Sequence, residues 1–234
     1  MSGDEGVLLF VFRGCLFKIP EGVQLPKAGS LFFARSLTFR EGERMFELGA
    51  GAGVTAVLAA RAGCHVIATD VVPECVEAIK ANAALNGVEE RIDARLGDCY
   101  EPVSRLTFDL ICTNPPQMPT PPGRERDDAG AAADNGGPDG WAILDRAIRG
   151  APSHLNAGGR VIVTIFDFLG QKRALRTIEE AGLTPAIIAR ETQAFPRLGY
   201  ERIDYLRSID DEGTLPSSGS PPTVERLMLC GTKP

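Results

Sequence analysis

The fold is decided by one stretch of eight residues, Phe46-Glu47-Leu48-Gly49-Ala50-Gly51-Ala52-Gly53. An apolar run that predicts a strand leads into it, and the run Val54–Ala60 predicts the first turns of a helix after it. Glycines at alternate positions carry no Cβ, so the backbone can turn tightly and a ligand can lie against it. The N–H groups of the helix N-terminus then point at that ligand. In a parallel α/β protein, such a turn indicates a nucleotide-type cofactor site.

From residue 44 onward, segments of strand and helix length alternate, which is typical of a parallel sheet with crossover helices. The predicted class is α/β, with a Rossmann-like, seven-stranded, mostly parallel sheet and helices on both faces. The predicted strands are 44–48, 64–69, 91–96, 108–113, 160–166, 185–190 and 225–231, and the intervening helices are 54–62, 73–86, 141–155 and 171–181. Residues 1–43 are predicted to form a short hairpin and helix that cover the cofactor site, and residues 44–234 the main domain.

The composition is that of one globular domain. The chain has 234 residues, of which 44% are hydrophobic and 24% charged, and no apolar run approaches the roughly 18 residues of a membrane span. Its six cysteines form no C-x-x-C pair and it has two histidines, so we expect no metal site and a cytoplasmic protein with reduced thiols. The acidic start at Asp4 and Glu5 does not predict a signal peptide. A net charge of −6 disfavours a large phosphate-binding surface.

The spacing of glycines in the turn indicates which cofactor it binds. The dinucleotide fingerprint is G-x-G-x-x-G, whereas here the third glycine comes one residue early and Glu47 ends the strand. A carboxylate there repels a pyrophosphate and favours an ammonium or sulfonium group, both of which S-adenosylmethionine carries. The alternative is an acid that only caps the helix. The predicted cofactor contacts in this turn are Glu47, Gly49, Ala50, Gly51 and Gly53.

Acidic residues end the next two predicted strands. Asp70 follows the second strand, where a carboxylate can accept hydrogen bonds from ribose hydroxyls, or instead cap the helix that begins near Pro73. Asp98 and Cys99 end the third strand, where the acid can bind the amino group of adenine and the cysteine can line the ring. The alternative for Asp98 is a turn cap.

The most specific signal is Asn114-Pro115-Pro116-Gln117, directly after the fourth strand. Proline restricts the residue before it to extended geometry, so Asn114 is held at the carboxyl edge of the sheet, where open α/β sheets bind ligands. The prolines offer no N–H, so the segment presents carbonyls and the Asn114 amide. These hydrogen-bond acceptors suit an amino group whose lone pair attacks an electrophilic methyl group. The rate of such a displacement depends more on alignment of the reacting atoms than on a strong base. A rigid loop that merely ends a strand is the alternative.

Together these motifs resemble the class I S-adenosylmethionine-dependent methyltransferases. Within them the chain is similar to the Asn-Pro-Pro-(Tyr/Phe) branch that methylates amide or base nitrogens, and most of all to the release-factor glutamine methyltransferases. The resemblance rests on Gly22–Pro26, Glu47–Gly53, Ala68–Asp70 with Pro73-Glu74, Gly97-Asp98, Asn114–Pro116 and Gly136–Gly140. It implies that Gly49–Gly53 hold the methionine end, Asp70 the ribose and Cys99 the adenine edge. It also implies that Asn114 and the Pro115 carbonyl hold the acceptor nitrogen.

Two differences between this sequence and the release-factor glutamine methyltransferases decide which substrate we expect. Gln117 stands where the family has an aromatic ring, and is expected to hydrogen-bond a polar substrate instead. Fewer than 45 residues precede the first strand of the domain, whereas the family has a sizeable N-terminal helical domain. The favoured hypothesis is therefore methyl transfer to a nitrogen of a small polar molecule. Asn114 and Pro115 are the expected catalytic residues, and they are expected to bind the substrate together with Pro116 and Gln117. Asn114 is also among the expected cofactor contacts.

Other hypotheses stay open on the sequence. The methyl acceptor can be a protein glutamine or an RNA base, or the chain can be a non-catalytic S-adenosylmethionine-binding module. A nicotinamide-dependent dehydrogenase fits the glycine spacing less well.

Three further segments carry predictions of their own. Residues 118–139 predict a mobile loop, and the Ser/Gly/Pro-rich residues 213–222 predict a flexible one. Arg197–Arg207 predicts either an amphipathic surface helix or, less favoured, a substrate lid. His154 is expected near a helix C-terminus as a dipole partner.

Overall fold

The computed structural model describes residues 8–125 and 131–234. The chain begins with an antiparallel hairpin of β1 (Leu8–Phe12) and β2 (Cys15–Ile19), followed by helix α1 (Ala28–Ser36). The hairpin packs on a helix of the main domain, where Asn82 and Asn86 bind the backbone of Lys18 and Leu16.

A seven-stranded sheet forms the centre of the molecule. Its strands are β3 (Arg44–Leu48), β4 (His65–Asp70), β5 (Ile92–Leu96), β6 (Phe108–Thr113), β7 (Leu155–Phe166), β8 (Thr184–Ala194) and β9 (Thr223–Thr232). Their spatial order is β5-β4-β3-β6-β7-β9-β8, with β9 antiparallel to both of its neighbours and the pairs from β5 to β7 all parallel. The predicted seven-stranded, mostly parallel sheet is confirmed.

Helices connect these strands, as crossovers between the parallel ones. They are α2 (Val54–Arg61), α3 (Pro73–Leu85), α4 (Ala131–Asp134), α5 (Ala142–His154), α6 (Gln171–Glu180), α7 (Arg197–Glu201) and α8 (Ile203–Ile209). Local sequence sets several of their ends. Pro73 occupies the first turn of α3, where its missing N–H has no intrahelical partner to lose, and Gly87 follows the helix with a φ of 65°.

The structure differs from the sequence prediction in three segments. Strand β7 begins at Leu155 rather than at residue 160, because Leu155 already pairs with Phe108 before a register shift. Strand β8 continues to Ala194 rather than ending at residue 190, because β9 pairs with it over that whole length. In the predicted loop 118–139, Thr120 N donates to Gly137 O at 2.9 Å and Gly136 N to Met118 O at 3.0 Å, so its two flanks bind each other. Residues 126–130 of that predicted loop lie outside the described residues.

Two apolar cores hold the layers together. One packs the hairpin, α1, α2 and α3 on the sheet, and the other packs α5 and α6 on it. Residues of the predicted 1–43 region, such as Phe17 and Phe33, therefore share a core with the main domain. A buried ion pair joins Glu43, before β3, to Arg160 on β7, with the nearest nitrogen and oxygen 2.6 Å apart. Within the described part of the chain, no helix is long and apolar enough to cross a membrane.

Candidate active site

The glycine turn lies between β3 and α2 and has the geometry that its sequence requires. Gly49, Gly51 and Gly53 have φ values of 66°, 56° and 78°, a region that L-residues rarely adopt. A Cβ added at Gly49 or Gly51 would meet no atom within 4 Å, so those two residues face open space. At Gly53 it would lie 3.2 Å from Ile79 of α3, so this glycine instead allows two helices to pack closely.

Asp70 fixes the turn from the neighbouring strand. Its Oδ2 accepts a hydrogen bond from Gly51 N at 2.9 Å, and its Oδ1 accepts one from Val72 N at 3.0 Å. Burial is the main cause of its raised pKa, and these backbone hydrogen bonds oppose the shift. Asp70 thus fixes the turn that leads into α3, and it also lines the cavity described below.

Glu47 is a buried carboxyl group at the cavity wall. It is 4% exposed, and its Oε2 has no hydrogen-bond partner among the described residues. Burial raises its pKa to about 8; hydrogen bonds from Thr55 and Ala56 counteract this in part, and the Asp70 charge adds to it. An unpaired, buried acid of this kind gains free energy from a cation placed beside it.

Asp98 and Cys99 follow β5 at the same edge of the sheet. The Asp98 carboxylate binds Arg146 of α5 at 2.9 Å, and this partner holds its pKa below the usual range. Cys99 is buried with a φ of 46°, and desolvation raises the pKa of its thiol to about 12, so it is present as a neutral apolar wall. Both residues line the cavity.

Asn114 directly follows β6 and is half-buried, with both its amide oxygen and its amide nitrogen hydrogen-bonded. Its Oδ1 accepts from Thr164 Oγ1 at 2.6 Å and from Arg226 Nη1 at 3.3 Å. Its Nδ2 donates to Ser30 Oγ of α1 at 3.3 Å. Three elements distant in sequence therefore orient this side chain, and all of these partners except Thr164 line the cavity.

Gln117 is placed differently from the sequence prediction. The expectation was a side chain that hydrogen-bonds a polar substrate, but Gln117 is 4% exposed and turned into the protein. Its Nε2 donates to Pro115 O at 3.3 Å and to Thr164 O at 3.2 Å, and its Oε1 accepts from Phe166 N at 2.8 Å. Both amide N–H groups are used, so in this placement the side chain ties the Asn-Pro-Pro segment to the end of β7.

A second glycine-rich turn holds the Asn-Pro-Pro-Gln segment from its other side. A Cβ on Gly136 would lie 2.7 Å from Gln117 Cα, and one on Gly140 would lie 2.6 Å from Gln117 O. Real Cβ atoms do not approach this closely, so the run 136–140 contacts the segment through bare backbone. The motif Gly136–Gly140 therefore packs beneath the strand end that carries Asn114.

The hydrogen bonds of Gln117 give a testable expectation. The substitution Gln117→Leu keeps the volume but leaves Phe166 N–H without its acceptor in a buried environment, which is expected to lower the free energy of unfolding by about 1–3 kcal/mol. Urea unfolding measures the change. Gln171→Leu is the matched control, because Gln171 bonds the exposed Arg190. An unchanged midpoint for Gln117→Leu would contradict the structural role assigned to this side chain.

A single cavity of about 1110 Å³ connects these groups. Its wall includes residues 22 and 24–30 before and in α1, the glycine turn, Asp70–Val72, Gly97–Cys99, the strand end 113–118, Phe166, residues 193–198 and Arg226. Pockets for one small ligand are typically about 300–1,000 Å³, so there is room for a cofactor and part of an acceptor. Hairpin β1–β2 does not line it.

The segment predicted as a surface helix or lid forms two short helices. Arg197, Leu198 and Glu201 of α7 line the cavity, as a lid would. Arg202 is buried and donates to Pro119 O at 2.8 Å, so this arginine supports the chain after Gln117 rather than a substrate. His154 ends α5 and stacks on Tyr100, with ring centroids 4.6 Å apart, away from the cavity wall.

The sequence analysis did not find the residues that surround Asn114. Ser30, Thr164, Phe166 and Arg226 come from α1, β7 and β9, and an isolated strand pattern does not show that they meet. One signal was present, since Arg226 directly precedes the apolar run Leu227–Cys230 of a strand.

The residues present fit S-adenosylmethionine. Gly49 and Gly51 leave room at the backbone, Asp70 offers acceptors for hydroxyls, and Glu47 offers an unpaired buried acid for a cationic group. A pyrophosphate would meet that acid instead, so the same geometry disfavours a dinucleotide.

Comparison with known proteins identifies the class. The model of the methyltransferase small domain family matches residues 25–121, which include the glycine turn, Asp70, Asp98 and Asn114. A Methanocaldococcus jannaschii protein assigned as a protein N5-glutamine methyltransferase is 30% identical over 192 residues, covering 82% of this chain and 96% of the relative. The chain therefore belongs to the class I S-adenosylmethionine-dependent methyltransferases of this family: it is an enzyme whose cofactor is S-adenosylmethionine.

Two further proteins are similar to this chain. The release factor glutamine methyltransferase of Aquifex aeolicus is 32% identical over 164 residues, which cover 65% of this chain but 58% of that enzyme. The structure is similar to that of a 16S rRNA methyltransferase from T. thermophilus in complex with S-adenosylmethionine and guanosine, with a TM-score of 0.63, 16% identity, and coverage of 98% of this chain and 50% of that one. The latter likeness concerns the fold alone.

Proposed function

We propose that this enzyme transfers the methyl group to the carboxamide nitrogen of a glutamine in a protein. The observation that supports this proposal is that Asn114 and Pro115 line the same cavity as Glu47 and the glycine turn. The names of the M. jannaschii and A. aeolicus relatives support a glutamine acceptor. The sequence analysis favoured a small polar molecule, and these relatives instead support the protein acceptor that it carried as an alternative.

The chemistry of a carboxamide explains why this site needs hydrogen-bond acceptors rather than a general base. The lone pair of a carboxamide nitrogen is delocalised, so the NH₂ group must be held with its plane fixed for the nitrogen to attack. Pro115 O can accept one N–H of such a group, and Asn114 Oδ1 can accept the other when it replaces the long contact with Arg226. The nitrogen becomes more acidic as it gains a methyl group, so its proton can leave after attack, and alignment supplies most of the rate.

The bound cofactor supplies an electrophilic methyl group on a sulfonium centre. The chain's own contribution is to hold that cation near Glu47 and to exclude water. The extended backbone that precedes two prolines would hold Asn114 on the wall of the same cavity. Glu47 would supply a negative charge there once a bound cation favours its ionised form, in a region that most of the solvent cannot reach.

An aromatic wall is present without an aromatic residue at position 117. Phe166 and Phe195 line the cavity, and Phe166 stacks on Phe168 with centroids 5.0 Å apart. Phe195 meets Tyr200 edge to face at 5.0 Å. A planar carboxamide can pack against such rings, so β7 and the end of β8 supply the apolar surface that Gln117 does not.

A transfer assay in fractionated extract tests the class of acceptor. The full chain is incubated with S-adenosylmethionine carrying a tritiated methyl group and an extract of its source cells, with the Asn114→Ala variant as the background. We expect the label in acid-insoluble material that protease removes and ribonuclease does not. Label that stays acid-soluble would contradict the protein acceptor in favour of a small molecule, and label removed by ribonuclease would contradict it in favour of RNA.

A further inference from the structure

Within residues 8–125 and 131–234, Arg226 is a buried guanidinium without an acidic partner. It is 7% exposed, its Nε has no hydrogen-bond partner, and its one hydrogen bond to a described residue is the long contact of Nη1 with Asn114. Its cross-strand neighbour Glu191 is bound instead to Arg35 and Gln193. Desolvation lowers the pKa of Arg226 to about 10. A buried charge without compensation is costly, so its presence in a cavity wall indicates an external partner.

The N-terminus of α1 adds a second positive feature at the same place. A Cβ on Gly29 would lie 2.8–3.0 Å from three guanidinium atoms of Arg226, so the guanidinium rests directly on the first turn of this helix. The turn has no acidic residue, and its N-cap Lys27 makes no side-chain cap hydrogen bond. The free N–H groups of a helix N-terminus carry partial positive charge, which attracts anions and not a guanidinium. Both features therefore favour an anion beside them, on the cavity side.

Stacking fixes the plane of the guanidinium. The Arg226 Cζ lies 3.8 Å from the centroid of the Phe166 ring, and Phe166 is the residue that pairs with Arg226 across β7 and β9. A planar guanidinium held by a ring and by Gly29 keeps its unused N–H groups in a fixed fork. That fork matches the two oxygens of a carboxylate.

The position of Arg226 in the sheet separates it from the cofactor residues. Glu47, Asp70 and Asp98 follow or end β3, β4 and β5, on one side of β6. Arg226 is on β9, two strands beyond β6 on the other side. Asn114, at the end of β6, lies between the two halves, so an anion at Arg226 belongs to the acceptor half of the cavity.

Arg226 also donates a hydrogen bond to Asn114 Oδ1, the atom proposed to bind the carboxamide of the substrate. Asn114 Oδ1 already accepts from Thr164 at 2.6 Å and from Arg226 at 3.3 Å, which uses both lone pairs. The longer contact with Arg226 is the weaker of the two. A carboxylate that binds the guanidinium draws this N–H away and leaves a lone pair of Asn114 free for the carboxamide.

We propose that Arg226 and the N-terminus of α1 form a carboxylate-binding subsite, and that the methylated glutamine is presented with a carboxylate beside it. This rests on the proposed function and adds a substrate preference to it. The carboxylate can be an acidic side chain next to the glutamine or the terminal carboxylate of a chain that ends in it. Both share the chemistry, and Arg226 serves as a specificity-determining residue.

Peptide binding tests the subsite without relying on turnover. The full chain, saturated with S-adenosylhomocysteine, is titrated calorimetrically with Ac-Asp-Gln-Ala-NH₂, Ac-Ala-Gln-Asp-NH₂ and Ac-Ala-Gln-OH. Each is compared with a neutral partner in which Asn replaces Asp or an amide replaces the free terminus. We expect at least one acidic peptide to bind about 10- to 100-fold more tightly than its neutral partner, as for a charge-assisted hydrogen-bonded pair. Which peptide does so distinguishes the two sources of the carboxylate.

Two variants assign the preference to Arg226. Arg226→Met keeps the apolar stem on Phe166 and is expected to abolish the preference, whereas Arg226→Lys keeps the charge and is expected to retain part of it. Arg190→Met removes an exposed arginine that pairs with Glu225, so it changes the net charge by the same amount and should leave the preference for acidic peptides intact. Melting temperatures of all variants establish that they fold.

The outcomes separate the two proposals. Equal affinity for acidic and neutral peptides, no measurable binding of any of them, or a preference that survives Arg226→Met would each overturn the subsite. A loss of S-adenosylhomocysteine affinity in Arg226→Met equal to the loss for peptide would also overturn it, since the guanidinium would then serve the cofactor. Acidic peptides that bind through Arg226 but receive no methyl group would leave the subsite standing and refute the glutamine acceptor.

Discussion

Replacing Asn114 by alanine is expected to lower the rate of methyl transfer about 10²- to 10³-fold, while the affinity for S-adenosylmethionine changes less than about threefold. The reason is that Asn114 is one of two acceptors proposed to align the attacking nitrogen, whereas Glu47, the glycine turn and Asp70 lie on the other half of the cavity. Single-turnover rates with saturating cofactor, together with calorimetric titration of S-adenosylhomocysteine, measure the two quantities separately.

The control for this variant is Asn156→Ala. Asn156 is on β7 and donates to Asp109 at 2.7 Å, outside the cavity wall, so its loss should leave the transfer rate unchanged. A rate within threefold of wild type for Asn114→Ala would remove this residue from the mechanism. An equal loss of cofactor affinity would make it a cofactor residue rather than an acceptor residue.

The substitution Glu47→Gln is expected to weaken cofactor binding on the order of 100-fold. It is close to isosteric but removes the buried negative charge that faces the cationic end of the ligand, and breaking such a pair typically costs about 2–5 kcal/mol. The hydrogen bonds to Thr55 and Ala56 that support the side chain need only one of its oxygens, so the fold should persist.

The pH dependence follows from the raised pKa of Glu47. In the free protein this carboxyl group keeps its proton up to about pH 8, whereas a bound cation favours the ionised form. Binding therefore releases a proton, and affinity should rise with pH from about 6 and level off near 8. Unfolded Glu47 loses its proton near 4.5, so its contribution to the stability of the free protein falls as pH rises from 4.5 to 8.

The difference between wild type and Glu47→Gln isolates this group, because the amino group of the ligand titrates identically in both. Glu43→Gln is the matched control: Glu43 is equally buried but paired with Arg160, so its loss should lower stability and leave the pH profile of binding intact. Parallel pH profiles for wild type and Glu47→Gln would refute the assignment of Glu47 to the cationic site.

Much of the fold was predictable because each strand of the parallel half is a short apolar run that ends at a turn residue. The glycine turn and Asp70 carry their geometry locally, in positive φ values and in hydrogen bonds within twenty residues. Where prediction failed, the cause was a long-range partner. Strand β8 extends to Ala194 because β9 continues beside it, and Leu155 joins β7 because Phe108 is available to pair.

The site could be predicted only in part for the same reason. Asn114 was identifiable from the two prolines after it, but the direction of Gln117 depends on the end of β7 and on the bare backbone of Gly136 and Gly140. Arg226 reaches Asn114 across 112 residues of chain, and no periodicity or spacing reports that contact. The cofactor was thus derivable from one contiguous region, whereas the acceptor half of the cavity is assembled from α1, β7 and β9.

The most direct test of the account is the position of the transferred methyl group in a modified protein. The enzyme is reacted with S-adenosylmethionine carrying a trideuterated methyl group, and the labelled protein isolated from the protease-sensitive fraction is sequenced by tandem mass spectrometry. The account predicts a mass increase of one trideuterated methyl group, confined to the carboxamide nitrogen of a glutamine and absent with Asn114→Ala. Label on a lysine, arginine or carboxylate, or equal labelling by the variant, would contradict it.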